Sequence, residues 1–236
     1  MSISRRALLG AAASAAGLLA LPHAREAGAS PDPARERIRQ RNLPNVALVT
    51  HEGEPVRFYD DLVKDRVVAI NMIYTSCKTS CPLTMANLVR VQKLLGERMG
   101  RDIFMYSITL DPKVDSVEVL GDYAKGFETG KGWKLLTGKP GDIQNLRRRL
   151  GFLGSNRETD LDKDFHTGTV RYGNEPLVIW GWVPGVAEPE SIAECLLFAQ
   201  ASKPGEVRVA PNFTRSPSRP APAESDSDQG HEHKHH

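Results

Sequence analysis

The stretch VVAINMIYTSCKTSCP, residues 67–82, decides the fold. Its first half, residues 67–74, is a nearly unbroken apolar run rich in β-branched side chains. Such a run predicts a central strand buried on both faces. The second half carries two thiols, Cys77 and Cys81, and ends in Pro82. Proline suits the first turn of a helix, where its missing N–H has no intrahelical partner to lose. Leu83, Leu88, Val91, Leu94 and Leu95 then recur near helical spacing, up to Gly96 or Gly100. Two cysteines therefore stand at a strand-to-helix junction. Unpaired backbone N–H groups and the helix dipole there favour thiolate over thiol.

Outward from this unit, strands and helices alternate. Residues 103–110 form a second central strand, broken by Asp111-Pro112. Asp115 and Glu118 have capping-box spacing for a helix over about 117–127. A glycine-rich loop over 126–132 precedes a short strand at 133–136 and a helix at 142–150. After a polar loop, 154–164, residues 167–172 and 177–183 pair around Gly173-Asn174, and a helix at 191–201 closes the pattern. Upstream, residues 45–50 and 55–59 make a hairpin around His51-Glu52-Gly53-Glu54. The order predicts an α/β, thioredoxin-like fold. It has a central, mostly parallel sheet, flanking helices, an N-terminal hairpin and an antiparallel edge.

Both ends of the chain lie outside this core. Arg5-Arg6 precede a weakly hydrophobic Ala/Gly/Leu run over 7–21, too short for a comfortable membrane span. Ala27-Gly28-Ala29 offers a cleavage site, so residues 1–29 read as a twin-arginine signal for export to the periplasm. Residues 30–42 are polar and Pro/Arg-rich, a linker or short frayed helix. The folded domain covers 43–203, and 204–236 is a disordered Pro/Ser/Asp-rich tail ending in a His-rich tract. That tract binds Cu or Zn loosely or is a solvated tail. The formal net charge is +2 among 31 basic and 29 acidic residues. Arg5, Arg6, Arg25 and Glu26 fall in the signal, so the remainder is balanced. No bulk charge speaks for nucleic-acid binding. Arg147-Arg148-Arg149 form a basic run on a predicted helix, read as a solvated face.

Three cysteines in an exported chain point to reactive thiols rather than a disulfide framework. Cys77 and Cys81 are four apart and share a helix face, so they can close a disulfide or share a metal. Two thiolates are soft ligands suited to Cu(I), zinc or iron–sulfur centres. Iron–sulfur clusters need more cysteines, and structural zinc needs four protein ligands. Cys195 lies in an apolar helical run and reads as a buried small hydrophobe. Of the two histidines in the folded region, His51 falls in the hairpin turn and reads as solvated. His166, just before a strand, remains to complete a Cu(I) site with Cys77 and Cys81; Cu(II) needs a further weak ligand.

Residues 73–82, IYTSCKTSCP, resemble the signature of the Sco/SenC family. The resemblance extends to Gly53, to Asp111-Pro112-Lys113-Val114-Asp115, to Trp133-Lys134-Leu135-Leu136-Thr137-Gly138 and to His166, over about residues 43–200. It implies a copper chaperone of cytochrome c oxidase assembly, with Cys77, Cys81 and His166 as copper ligands. By the same resemblance the two cysteines cycle between dithiol and disulfide. The partners implied are a copper-enzyme client such as a cytochrome oxidase subunit, and a thiol reductant. Membrane association would come through the client or an uncleaved signal. The alternative is a thiol–disulfide oxidoreductase that reduces the cysteines of such a client.

Overall fold

In the computed structural model, residues 67–73 do become the buried centre of the molecule. Strand β3, Val67–Ile73, is buried at every position. The structure describes residues 33–153 and 168–201. The remaining strands are β1 (Ala47–Thr50), β2 (Pro55–Arg57), β4 (Ile103–Thr109), β5 (Trp133–Gly138), β6 (Thr169–Asn174) and β7 (Ile179–Pro184). They form one seven-stranded sheet in the order β2-β1-β5-β4-β3-β6-β7. Its middle is parallel, β5-β4-β3. The antiparallel part is larger than a single edge: β1 and β2 flank one side, β6 and β7 the other. The sheet is therefore mixed, with the expected parallel centre.

The helices are α1 (Pro33–Asn42), α2 (Ser80–Leu95), α3 (Val117–Gly126), α4 (Pro140–Arg149) and α5 (Pro189–Ala201). Alternation along β3 sends Val67, Ala69 and Ile73 to one face and Val68, Ile70 and Met72 to the other. The first face packs under α2, α3 and α5 through Met85, Leu88, Leu120, Ile192 and Leu196. The second packs against α4 and a π-helical turn, Phe58–Val63, through Phe58, Leu62, Ile143 and Leu146. Cys195 is fully buried in the first core, as a small hydrophobe should be. Asn71, the polar member of β3, accepts from Ser107 Oγ at 2.7 Å, and Ser107 in turn accepts from Trp133 Nε1 at 2.9 Å.

One local expectation changes. On α2, Leu83 and Leu94 are 64% and 49% exposed, while Met85 is fully buried. The helix starts at Ser80, so its inner face runs Cys81, Met85, Leu88, Val91, Leu95. Leu83 lies about 200° around the helix from Cys81 and faces out. The stretch before the domain takes the helical form of the two expected, α1. α1 has no fully buried residue, yet it is fastened to the body by Arg35, which pairs with Glu175 and Asp65. The expected signal, residues 1–29, and the tail, 204–236, lie outside the described residues. Among the described residues no helix is long and apolar enough to cross a membrane.

Candidate functional site

The dithiol sits where β3 ends and α2 begins. The chain leaves β3 at Tyr74, and the backbone N–H of Cys77 donates back to the Tyr74 carbonyl at 3.2 Å, closing a tight turn. Helix α2 starts three residues later with Thr79 as its N-cap, whose side chain makes no capping bond. The Cys77 sulfur takes that role: the backbone N–H of Cys81 donates to it at 3.4 Å. The hydroxyls of Thr79 and Ser80 each lie 3.8 Å from the same sulfur. Both cysteines are free and buried, covered by Tyr74 and Leu110.

The environment splits the two thiols. Burial pushes Cys77 up, but donors converging from the Cys81 and Thr79 backbone and from Tyr74 outweigh it and bring the thiol down to about 6. Burial dominates at Cys81, and its contact with Cys77 adds to that, so this thiol goes up to about 12. The expectation of thiolate character thus holds for Cys77 and fails for Cys81. The helix start offers its free N–H groups to the outer sulfur, and the inner one is walled in by core. A low thiol beside a high one can attack, be resolved into a disulfide, or present two soft donors to one ion.

Asp115 is the residue the sequence reading misplaced. Its spacing to Glu118 suggested a helix cap, but the cap of α3 is Ser116, whose Oγ accepts from Val119 N at 3.3 Å. Asp115 is instead fully buried. Its carboxylate accepts from the Thr75 hydroxyl at 2.5 Å, from the Thr75 backbone N–H at 3.3 Å and from the Thr109 hydroxyl. It pins the start of the dithiol loop to the end of β4. Its place in the Asp111–Asp115 motif was the available signal, and the local capping pattern masked it.

His51 also differs from expectation. It is half-buried, and its Nδ1 accepts the backbone N–H of Leu135 on β5 at 3.1 Å. Nε2 therefore carries the proton, facing Glu52 at 4.0 Å. Burial, the largest influence, lowers its pKa. A histidine whose one lone pair holds β5 is a structural latch. Arg147 is buried where a solvated run was expected, because it lies on the inner side of α4 with Ile143 and Leu146, while Arg148 and Arg149 stay outside.

Among the described residues no third His, Cys, Asp or Glu joins Cys77 and Cys81 in a metal-ligating group. His166 lies outside the described residues. The described chain resumes at Gly168, against the first turns of α2. A Cβ placed there would stand 3.4 Å from Thr84 Oγ1 and 3.9 Å from Ser80 Cβ.

The SCO1/SenC family profile matches residues 36–172. An SCO2-like protein of Rickettsia prowazekii is 32% identical over 115 residues, 49% of this chain and 54% of that protein. The chain thus spans about half the length of the curated relatives it matches. Among solved structures, Bradyrhizobium japonicum ScoI with copper bound superimposes with a TM-score of 0.53 at 19% identity, over 65% of this chain and 96% of that one. BsSco, described as a member of the Sco family of cytochrome c oxidase assembly proteins with a disulfide switch, gives 0.55 at 21%, over 67% and 92%. At these identities the structures show the fold, which is thioredoxin-like.

Proposed function

The chain belongs to the SCO1/SenC family, and from that premise we propose that it is a periplasmic copper chaperone carrying the metal on Cys77, Cys81 and His166. The observation that carries this reading is the buried pair of free cysteines, Cys77 and Cys81, at the start of α2, where the Cys81 backbone N–H donates to the Cys77 sulfur. A soft, partly dehydrated donor pair fits Cu(I). The copper-bound ScoI structure supports the choice of metal. His166 lies outside the described residues; the described chain resumes at Gly168, against the first turns of α2. Copper is the cargo, and the chain's own residues supply two sulfurs, an imidazole and an apolar cover of Tyr74 and Leu110.

The client proposed is a cuproenzyme such as the dinuclear copper subunit of cytochrome c oxidase, in keeping with the assembly family to which BsSco belongs. Export by the twin-arginine route is proposed from Arg5-Arg6. The reduced protein without residues 1–29 should take up one Cu(I) that resists a competing chelator. Cys77→Ser with Cys81→Ser should abolish this, and His166→Ala should weaken Cu(II) more than Cu(I). Full retention in the double variant would sink the assignment. Arg5→Lys with Arg6→Lys should block export.

A second reading has its own observation. A thiol near 6 over a walled-in partner near 12 is the division of labour of an attacking and a resolving cysteine. We propose thiol–disulfide exchange with the client's cysteines as that alternative. Rapid client reduction without copper uptake would select it.

A further inference from the structure

Arg66 precedes β3 on a backbone held from both sides. Its N–H donates to the Val63 carbonyl at 3.2 Å, and its carbonyl accepts from the Glu175 N–H at 3.0 Å. The guanidinium lies over the Phe104 ring, 4.5 Å from the centroid, and Nη1 donates to the Tyr106 hydroxyl at 3.2 Å. Among the described residues no carboxylate pairs with it; its neighbours Asp65 and Glu175 both pair with Arg35. Nε and Nη2 thus have no acceptor among the described residues. Tyr106 is 1% exposed, and its own hydroxyl proton has no acceptor there either. Both residues line a cleft of about 470 Å³ on the sheet face that α4 covers. Leu62 and Phe104 make its walls apolar. Lys131 also lines it, exposed and without an ion pair among the described residues. Lys134 lines it too, but its charge is taken by Glu52 and Glu54.

A guanidinium stacked on a ring keeps its edge free for two parallel hydrogen bonds to an oxyanion. Held in place as this one is, it has little freedom left to lose on binding. The cleft falls within the range of small-molecule sites, about 300–1,000 Å³, which combine apolar walls with a few converging polar groups. We propose that this cleft binds a small organic anion, with its carboxylate or phosphate on Arg66 and Tyr106 and its apolar body against Phe104 and Leu62. Lys131 adds attraction without a fixed contact. Arg66 stands before the start of β3 and Cys77 beyond its end, so the site is separate from the dithiol and independent of the copper reading.

The test is a titration of the full chain at fixed ionic strength, followed by calorimetry and by amide resonances. The probes are benzoate, phenyl phosphate, inorganic phosphate and benzyl alcohol. Benzoate or phenyl phosphate should saturate with a Kd of about 1 mM, as suits a ligand of that size, and should shift the amides of Phe104, Tyr106 and Gly132. The tighter of the two identifies the oxyanion. Inorganic phosphate and benzyl alcohol each carry half of the ligand and should bind about tenfold more weakly. Arg66→Gln should abolish measurable binding, and Arg66→Lys should do nearly the same, since an ammonium keeps the charge but loses the fork. Tyr106→Phe should weaken binding about tenfold, the value of one hydrogen bond to a charged group. Should Arg66→Gln fail to fold, Tyr106→Phe and the resonance map of wild type decide. No saturation by either organic anion at about ten times the expected Kd would overturn the proposal. So would wild-type affinity in folded Arg66→Gln, or resonance shifts away from the cleft. Inorganic phosphate binding as tightly as phenyl phosphate would overturn the assignment to an organic ligand.

Discussion

Asp115 and Glu175 are both buried carboxylates, and they lie at opposite ends of β3. Glu175 sits at the start of the strand, where its N–H donates to the Arg66 carbonyl. It accepts from Arg35 at Nε (2.9 Å) and Nη2, from the Tyr59 hydroxyl at 2.9 Å and from the Asp65 backbone N–H at 2.9 Å. Asp115 sits past the end of the strand and accepts only from hydroxyls and an N–H; among the described residues no Lys or Arg pairs with it. Burial is costly for an ion unless it is paired and hydrogen-bonded. The Glu175 end meets both conditions and is closed. The dithiol end meets only the second, and it also holds the lowered thiol of Cys77. The same sheet thus has a clasp at one end and an unfinished polar cluster at the other.

The largest effect should come from opening the clasp. Arg35→Ala leaves Glu175 buried without its cation and frees α1. It should cost about 4 kcal/mol in denaturant unfolding while the stoichiometry of Cu(I) uptake stays at that of wild type. A loss of copper uptake in the folded variant would erase the distinction between the two ends. Next, Asp115→Ala strands the Thr75 and Thr109 hydroxyls and the Thr75 N–H. It should cost about 3 kcal/mol and weaken Cu(I) binding as well, because the loop leading to Cys77 loses its anchor. Stability loss with unaltered binding would reduce Asp115 to a second clasp.

The two tyrosines give a sharper contrast. Tyr59→Phe removes a donor already bound to Glu175 and should cost about 1.5 kcal/mol by thermal or denaturant unfolding. Tyr123→Phe should cost nothing in the metal-free protein, since that hydroxyl is buried without a partner among the described residues. Equal losses would mean that the Tyr123 hydroxyl is hydrogen-bonded as well. The last prediction involves no change of sequence. Cys77 is lowered to about 6, so its thiolate is present above that pH and lost below it. Alkylation of the reduced, metal-free protein should rise through about pH 6 at Cys77 and stay slow at Cys81 up to pH 9, as peptide mass mapping would show. A midpoint near the ordinary thiol value for both would remove the proposed asymmetry.

Much of this was legible along the chain because the signals are local. A short apolar run rich in β-branched residues reads as a strand buried on both sides, and Pro82 marks a helix start. The hairpin around Gly53, which takes φ +85°, follows from a turn that glycine adopts without steric cost. Errors arose where a local pattern competed with a distant partner. Asp115 has the spacing of a cap, yet it answers to Thr75, forty residues away. His51 has the setting of a solvated turn, but β5 lies beneath it. Leu83 and Leu94 have helical spacing, but which face turns inward depends on where α2 starts.

The sequence by itself determined the order of elements, the buried centre of the sheet and the two thiols at its edge, since each depends on neighbours within a helical turn or a strand. Only the tertiary structure decided that Cys77 and Cys81 differ and that, among the described residues, Asp115 lacks a cation where Glu175 has one and the Tyr123 hydroxyl lacks a partner. Burial and the direction of N–H groups set those properties, and both arise when segments far apart in sequence pack together.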